Sequence, residues 1–170
     1  LYTGRDSGRM HSDIDIVAAS ADMLIIRQYL QSAGHYKGDY DSLEFGYNTR
    51  CTDHGLEAFI QDIPVNFAPF DVQGNDIIQR NFSKLELDGF DALMTVTMHG
   101  IAIEDYITSH AIEGMRVGTY TLEMVRCTKE TTDREKDILD IQEIEKIGIN
   151  QERYMRIKPV IQAMALDALT

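Results

Sequence analysis

The run His11-Ser12-Asp13-Ile14-Asp15-Ile16-Val17 places two carboxylates one residue apart, in a stretch where polar and β-branched residues alternate. That alternation reads as a half-buried strand over Ser12 to Val17. Period-two geometry sends Ile14 and Ile16 to one face and His11, Asp13 and Asp15 to the other. With a rise of roughly 3.3 Å per residue, the two acidic residues stand about 7 Å apart along the strand. Such a pair suits a divalent cation, because Mg²⁺ takes one or two carboxylates and completes its shell with water and substrate phosphate oxygens. Two metals held this way activate an attacking oxygen and steady the leaving one. The competing reading is the solvated face of an edge strand, since two-letter acidic patterns recur by chance.

The elements that would position this pair follow from the rest of the chain. Met23, Ile26, Tyr29 and Leu30 carry a 3.6-residue stripe, which predicts a helix over Asp22 to Ala33 with Ser20 as N-cap and Gly34 as its stop. Leu43 to Cys51 and Leu56 to Ile60 read as strands joined in an antiparallel hairpin through Thr52-Asp53-His54-Gly55. A third run, Ile63 to Phe70, contains Pro64 and Pro69, which suits a strand near its ends better than a central, fully laddered one. The signal from Asn75 to Gly100 is mixed, with a strand at Ala92 to Met98. Helices are expected at Ile103 to Glu113, ended by Gly114, and from Thr121 to Cys127. Another runs from Thr132-Asp133-Arg134-Glu135 through about Ile147, with Ile138, Ile141 and Ile144 on its apolar face and Gly148 as its stop. The last, from Gln151 to Leu169, should be bent or divided by Pro159. Strands first and helices last make an α+β chain: a core over 1–100 and a helical C-terminal part over 101–170 packed on it.

Composition limits what this chain can be. At 170 residues, 44% hydrophobic and 26% charged, it has ordinary globular values. Its apolar runs fall far short of the roughly 20 residues that span a bilayer, so no membrane partner is expected. Cys51 and Cys127 have no C-x-x-C partner, which reads as two reduced thiols and a cytoplasmic protein. The net charge of −12 repels phosphate, so a nucleic-acid partner is possible but not favoured, and any polyphosphate ligand needs a metal ion or local cations. No H-E-x-x-H, G-x-S-x-G or P-loop is present.

The segment Gly4-Arg5-Asp6-Ser7-Gly8-Arg9-Met10-His11-Ser12-Asp13-Ile14-Asp15-Ile16 resembles the entry to the catalytic strand of nucleotidyltransferases of the DNA polymerase β superfamily. Its pattern is most similar to the lincosamide and aminoglycoside nucleotidyltransferases and to abortive-infection proteins of that fold. The resemblance implies a nucleotidyltransferase fold, with a twisted mixed sheet packed by helices and Asp13 and Asp15 as ligands of Mg²⁺ or Mn²⁺. It implies transfer of a nucleoside monophosphate from a nucleoside triphosphate to an acceptor hydroxyl. The family's phosphate-binding glycine turn would lie upstream of Leu1, so the chain is expected to lack its N-terminal portion.

Two more segments extend the likeness. Ile63-Pro64-Val65-Asn66-Phe67 resembles the family's third catalytic strand, with Asn66 where an Asp is usual. An amide is a weaker metal ligand and no anionic base, so Asn66 puts turnover in doubt; Asp62 is a candidate substitute. Glu123, Lys129, Arg134, Lys136, Asp137 and Asp140 resemble a tail pattern in which the Lys meets nucleotide phosphates. By this likeness Arg9, Ser12 and Lys129 stand on the nucleotide side. The alternative for Lys129 is a solvated helix face, and for the whole chain a degenerate module that binds nucleotide or a partner without turnover, as in a toxin–antitoxin pair.

Overall fold

In the computed structural model, residues 13–39, 55–87, 90–112, 115–132 and 134–167 are described. By its contacts the chain divides into two units: one takes in 13–73 and 78–97, the other 74–77 and 98–167. The chain is α+β, as its strand and helix patterns predict.

In the first unit the Ile-Asp-Ile alternation forms β1 (Ile14–Ala19). A 3₁₀ turn, Ser20–Asp22, leads into α1 (Met23–Ser32). Ser20 is therefore not an N-cap: its Oγ donates to the Phe70 carbonyl at 3.2 Å and accepts from Arg80 at 3.3 Å. That tertiary partner outcompetes the local one. Gly34, at φ +72°, ends the helix as expected.

Next come β2 (Tyr36–Asp39), β3 (Leu56–Ile60), β4 (Ile63–Gln73), β5 (Asp76–Leu87) and β6 (Phe90–His99). They form one sheet in the order β2-β3-β4-β5-β6, with β1 added to β4. The pairings β2–β3 and β3–β4 are antiparallel, and β1–β4 is parallel. The expected strand at Leu43 to Cys51 lies outside the described residues, as do Thr52 to His54. Among the described residues β3 finds its antiparallel partners in β2 and β4.

Contrary to the expectation from its prolines, β4 is a central strand. The reason is visible in the registers: β1 covers Val65 to Phe70 and β3 covers Ile63 to Phe67, so only Val65 to Phe67 is flanked by both. Pro64 falls outside that stretch, where a missing N–H costs the ladder less. The core of the unit lies between α1 and this part of the sheet: Met23 and Leu30 meet Leu56, Ala58, Val65 and Phe67, with Ile16, Ala18, Ile26 and Tyr36 packed around them.

The second unit corrects two expectations. Among the described residues of the predicted Ile103 to Glu113 helix, only Ile103–Tyr106 (α2) is helical; Ile107–Ile112 is strand β7, paired antiparallel with β8 (Met115–Tyr120). Ile107, Thr108 and Ile112 are β-branched, and a hairpin partner lies within reach in sequence, so pairing wins over a helical period. The Tyr106 ring packs edge-on against Tyr120, with centroids 5.1 Å apart.

Thr121 then caps α3 (Leu122–Lys129), its hydroxyl accepting the Met124 N–H. Helices α4 (Glu135–Ile147) and α5 (Gln151–Asp167) follow, and α3 packs against both. On α4 the predicted apolar face is only partly covered: Ile144 is buried while Ile138 is exposed. Pro159 does not divide α5, which runs through it as one helix. The proline is exposed, while Tyr154, Ile157 and Ile161 anchor the helix from its buried side. No helix among the described residues is long and apolar enough to cross a membrane.

Candidate functional site

The inward side chains of β4 are Val65, Phe67 and Pro69, so Asn66 points away from α1 to the open face of the sheet. Parallel pairing sets Asp15 directly opposite Asn66. The Asn66 amide Nδ2 donates to Asp15 Oδ1 at 3.0 Å. Two segments about fifty residues apart, singled out separately by their pattern, thus meet side chain to side chain. Asp13 immediately precedes β1, exposed like Asp15. Arg9, Ser12 and His11 lie outside the described residues.

The open face carries more polar chemistry than the pattern indicated. On the other side of Asn66, β3 sets Glu57 directly opposite it. Residues opposite one another on neighbouring strands share a face, so Asp15, Asn66 and Glu57 form one cross-strand row. Lys37 on β2 extends it, with Nζ 2.8 Å from Glu57 Oε2 and 5.0 Å from the centre of the Phe59 ring. Asp62, the substitute carboxylate considered from sequence, does not join the row. It and Gln61 form the two-residue turn between β3 and β4, both at positive φ, as a type I′ hairpin requires.

Arg80 fixes the far end of β1. Its guanidinium pairs with Asp71 at 3.0 Å and donates to Ser20 Oγ, where β1 gives way to α1. Removing these contacts in Arg80→Ala should cost about 1 kcal/mol, since the pair is partly exposed. Chemical denaturation would read this as a lower midpoint with an unchanged slope; an unchanged midpoint would make the latch energetically idle.

Lys129, in the second unit, has two carboxylate partners: Asp137 Oδ1 at 2.9 Å and Asp140 Oδ2 at 2.6 Å. Burial works against its charge, but those hydrogen bonds outweigh burial and hold its pKa above the ordinary lysine value. Thr132 and Arg134 also donate to Asp137, each at 2.5 Å. The Lys-Arg-Asp-Asp spacing of the tail thus closes on itself between α3 and α4. Glu123 sits apart from that cluster, accepting the Asn150 N–H at 2.6 Å and pairing with Arg153 at 3.3 Å.

As a donor set for a cation, Asp13, Asp15 and the Asn66 carbonyl oxygen are hard oxygen ligands, the class Mg²⁺ and Mn²⁺ take. Comparison with family models, with curated proteins and with solved structures gives no match to this chain. The reading of the site therefore rests on its own chemistry. Sequence reasoning passed over Glu57, Lys37 and Arg80. A signal for Glu57 existed: it is the one charged residue in the apolar run Leu56-Glu57-Ala58-Phe59-Ile60.

Proposed function

We propose that this chain is a nucleotidyltransferase-fold domain that binds a nucleoside triphosphate with Mg²⁺ or Mn²⁺ at Asp13 and Asp15 and transfers the nucleoside monophosphate to an acceptor hydroxyl. The observation that carries the reading is the parallel pairing of Asp15 with Asn66, which joins the two segments that resemble that superfamily's catalytic strands. In the reaction the acceptor oxygen bonds to the α-phosphorus, the bond between the α- and β-phosphates breaks, and pyrophosphate leaves. A bound metal would supply charge neutralisation for the phosphates and the developing negative charge.

The chain's own residues have separable tasks. Asp13 and Asp15 bring negative charge to exposed positions at the start of β1, and the Asn66 amide holds the Asp15 carboxylate in place. The acceptor class on this reading is a small molecule, a protein side chain or an RNA end, with a net charge of −12 weighing against the last. A second reading, nucleotide binding without turnover, is favoured by Asn66 itself, since an amide takes no proton from a hydroxyl.

Calorimetry with Mn²⁺ and a nucleoside triphosphate tests the shared part of both readings. Asp13→Ala and Asp15→Ala should each weaken binding by about tenfold or more, the cost of one charge-assisted contact. Unchanged binding in both variants would remove the metal assignment.

A further inference from the structure

We propose that Glu57 is the carboxylate that accepts the proton of the acceptor hydroxyl, in place of the acidic side chain that position 66 lacks; this inference rests on the transferase reading above. Registers on the two sides of β4 put Asp15 and Glu57 on the same face with Asn66 between them. At a strand separation of roughly 4.8 Å, the backbones of Asp15 and Glu57 stand about 10 Å apart. A group lying over Asn66 therefore has a carboxylate on each side of it.

Neither of the other groups in the row can take this role. Asn66 spends its Nδ2 on Asp15 and has no anionic oxygen. On this reading Asp15 is committed to the metal. Asp62 lies in the β-turn. The Glu57 carboxylate pairs with Lys37 on the β2 side, and the one methylene more that Glu57 has than Asp or Asn lets it swing from there toward the position above Asn66. Its side chain is held on the open face by Lys37 at 2.8 Å and is only 19% exposed, unlike a charge simply solvated on an edge. Loss of the hydroxyl proton to Glu57 accompanies formation of the bond from oxygen to the α-phosphorus. The bond between the α- and β-phosphates breaks with its electron pair going to pyrophosphate, so atoms and charge balance.

The test uses the full natural chain with Mn²⁺, a panel of nucleoside triphosphates and a panel of hydroxyl acceptors, following pyrophosphate release and, separately, metal–nucleotide binding by calorimetry. Glu57→Gln should lower kcat by about 10²- to 10⁴-fold, the usual worth of a general base, while binding stays within twofold. The double variant Glu57→Gln with Asn66→Asp should regain at least tenfold of that loss, because it returns a carboxylate to the face one strand away. Asn66→Asp in the native background is the control: where Glu57 is the base, the added carboxylate gains more in the Glu57→Gln background than in the native chain, whereas a purely structural Glu57–Lys37 pair gives the same gain in both. Undiminished kcat in Glu57→Gln, or an equal gain from Asn66→Asp in both backgrounds, would overturn the role of Glu57. A native chain that binds nucleotide without turnover would instead overturn the transferase reading on which that role rests, and absence of metal–nucleotide binding would overturn both readings of the site.

Discussion

Replacing Asp137 with Ala should destabilise the unit formed by 74–77 and 98–167 by about 3 kcal/mol, the low end of what breaking a buried ion pair costs. The Asp137 side chain is fully buried and accepts from Lys129, Thr132 and Arg134. Its removal leaves a partly buried ammonium with one carboxylate fewer, and two further donors without their acceptor. Burial by itself would raise the Asp137 pKa, yet the three donors outweigh it and hold the group well below the ordinary carboxylate range.

The sign of the pH dependence follows. A carboxylate whose folded pKa is depressed contributes stability that is fully present above its unfolded value near 4, and that stability is lost as pH falls through the folded value. Asp105 behaves alike, lowered chiefly by Arg156, with Arg153 assisting against burial. Glu130 does too: burial pushes it up, but Arg126, Tyr154 and Lys158 more than compensate. The unit should therefore lose stability steadily below about pH 4, and Asp137→Ala should flatten that loss. Denaturant titrations at pH 7 and pH 3 check both points. Equal pH dependence in native and variant chains would show that Asp137 is not a principal acid-sensitive group.

Asn66→Asp should tighten Mn²⁺ binding by about ten- to a hundredfold, because it exchanges a neutral ligand for an anionic one, a difference typical of charge-assisted contacts. The same change should lower stability without metal. The amide now donates to Asp15 at 3.0 Å, and a carboxylate at 66 would meet Asp15 with like charge instead. Thermal melts of the variant should therefore rise with added Mn²⁺ more steeply than those of the native chain, by mass action on the folded state. On the proposed reading, the native amide satisfies Asp15 without a cation, at the expense of cation affinity. A variant with native melting behaviour and native Mn²⁺ affinity would show that position 66 does not face the metal site.

Much of the local structure was legible because it depends on short-range periodicity. Alternation around Asp13 and Asp15 gave β1 and its two faces, and the 3.6-residue stripe from Met23 to Leu30 gave the buried side of α1. Gly34 and Gly148 mark helix ends in the positive-φ region, where a side chain would be strained. The predicted helix at Ile103 to Glu113 failed because a segment rich in β-branched residues had a strand partner close by in sequence, which no local period reports. Pro159 was misread because proline penalises a helix without forbidding it where the buried side remains anchored.

The sequence by itself determined which residue types could meet a cation and that Asp15 would stand on the face opposite Ile16, since a strand's period of two is a property of its own backbone. Only the tertiary structure decided what stands beside them. Whether Asn66 or a neighbour lies opposite Asp15 is a matter of register between distant strands, and a slip by one residue would turn Asn66 into the core. That register is set by Val65 and Phe67 packing with Met23 and Leu30, and it carries Glu57 into the same row through β3. Lys129 shows the same division: its charge was plain in the sequence, but its two carboxylate partners depend on how α3 and α4 pack, because a flexible cation goes to the anions that folding brings within reach.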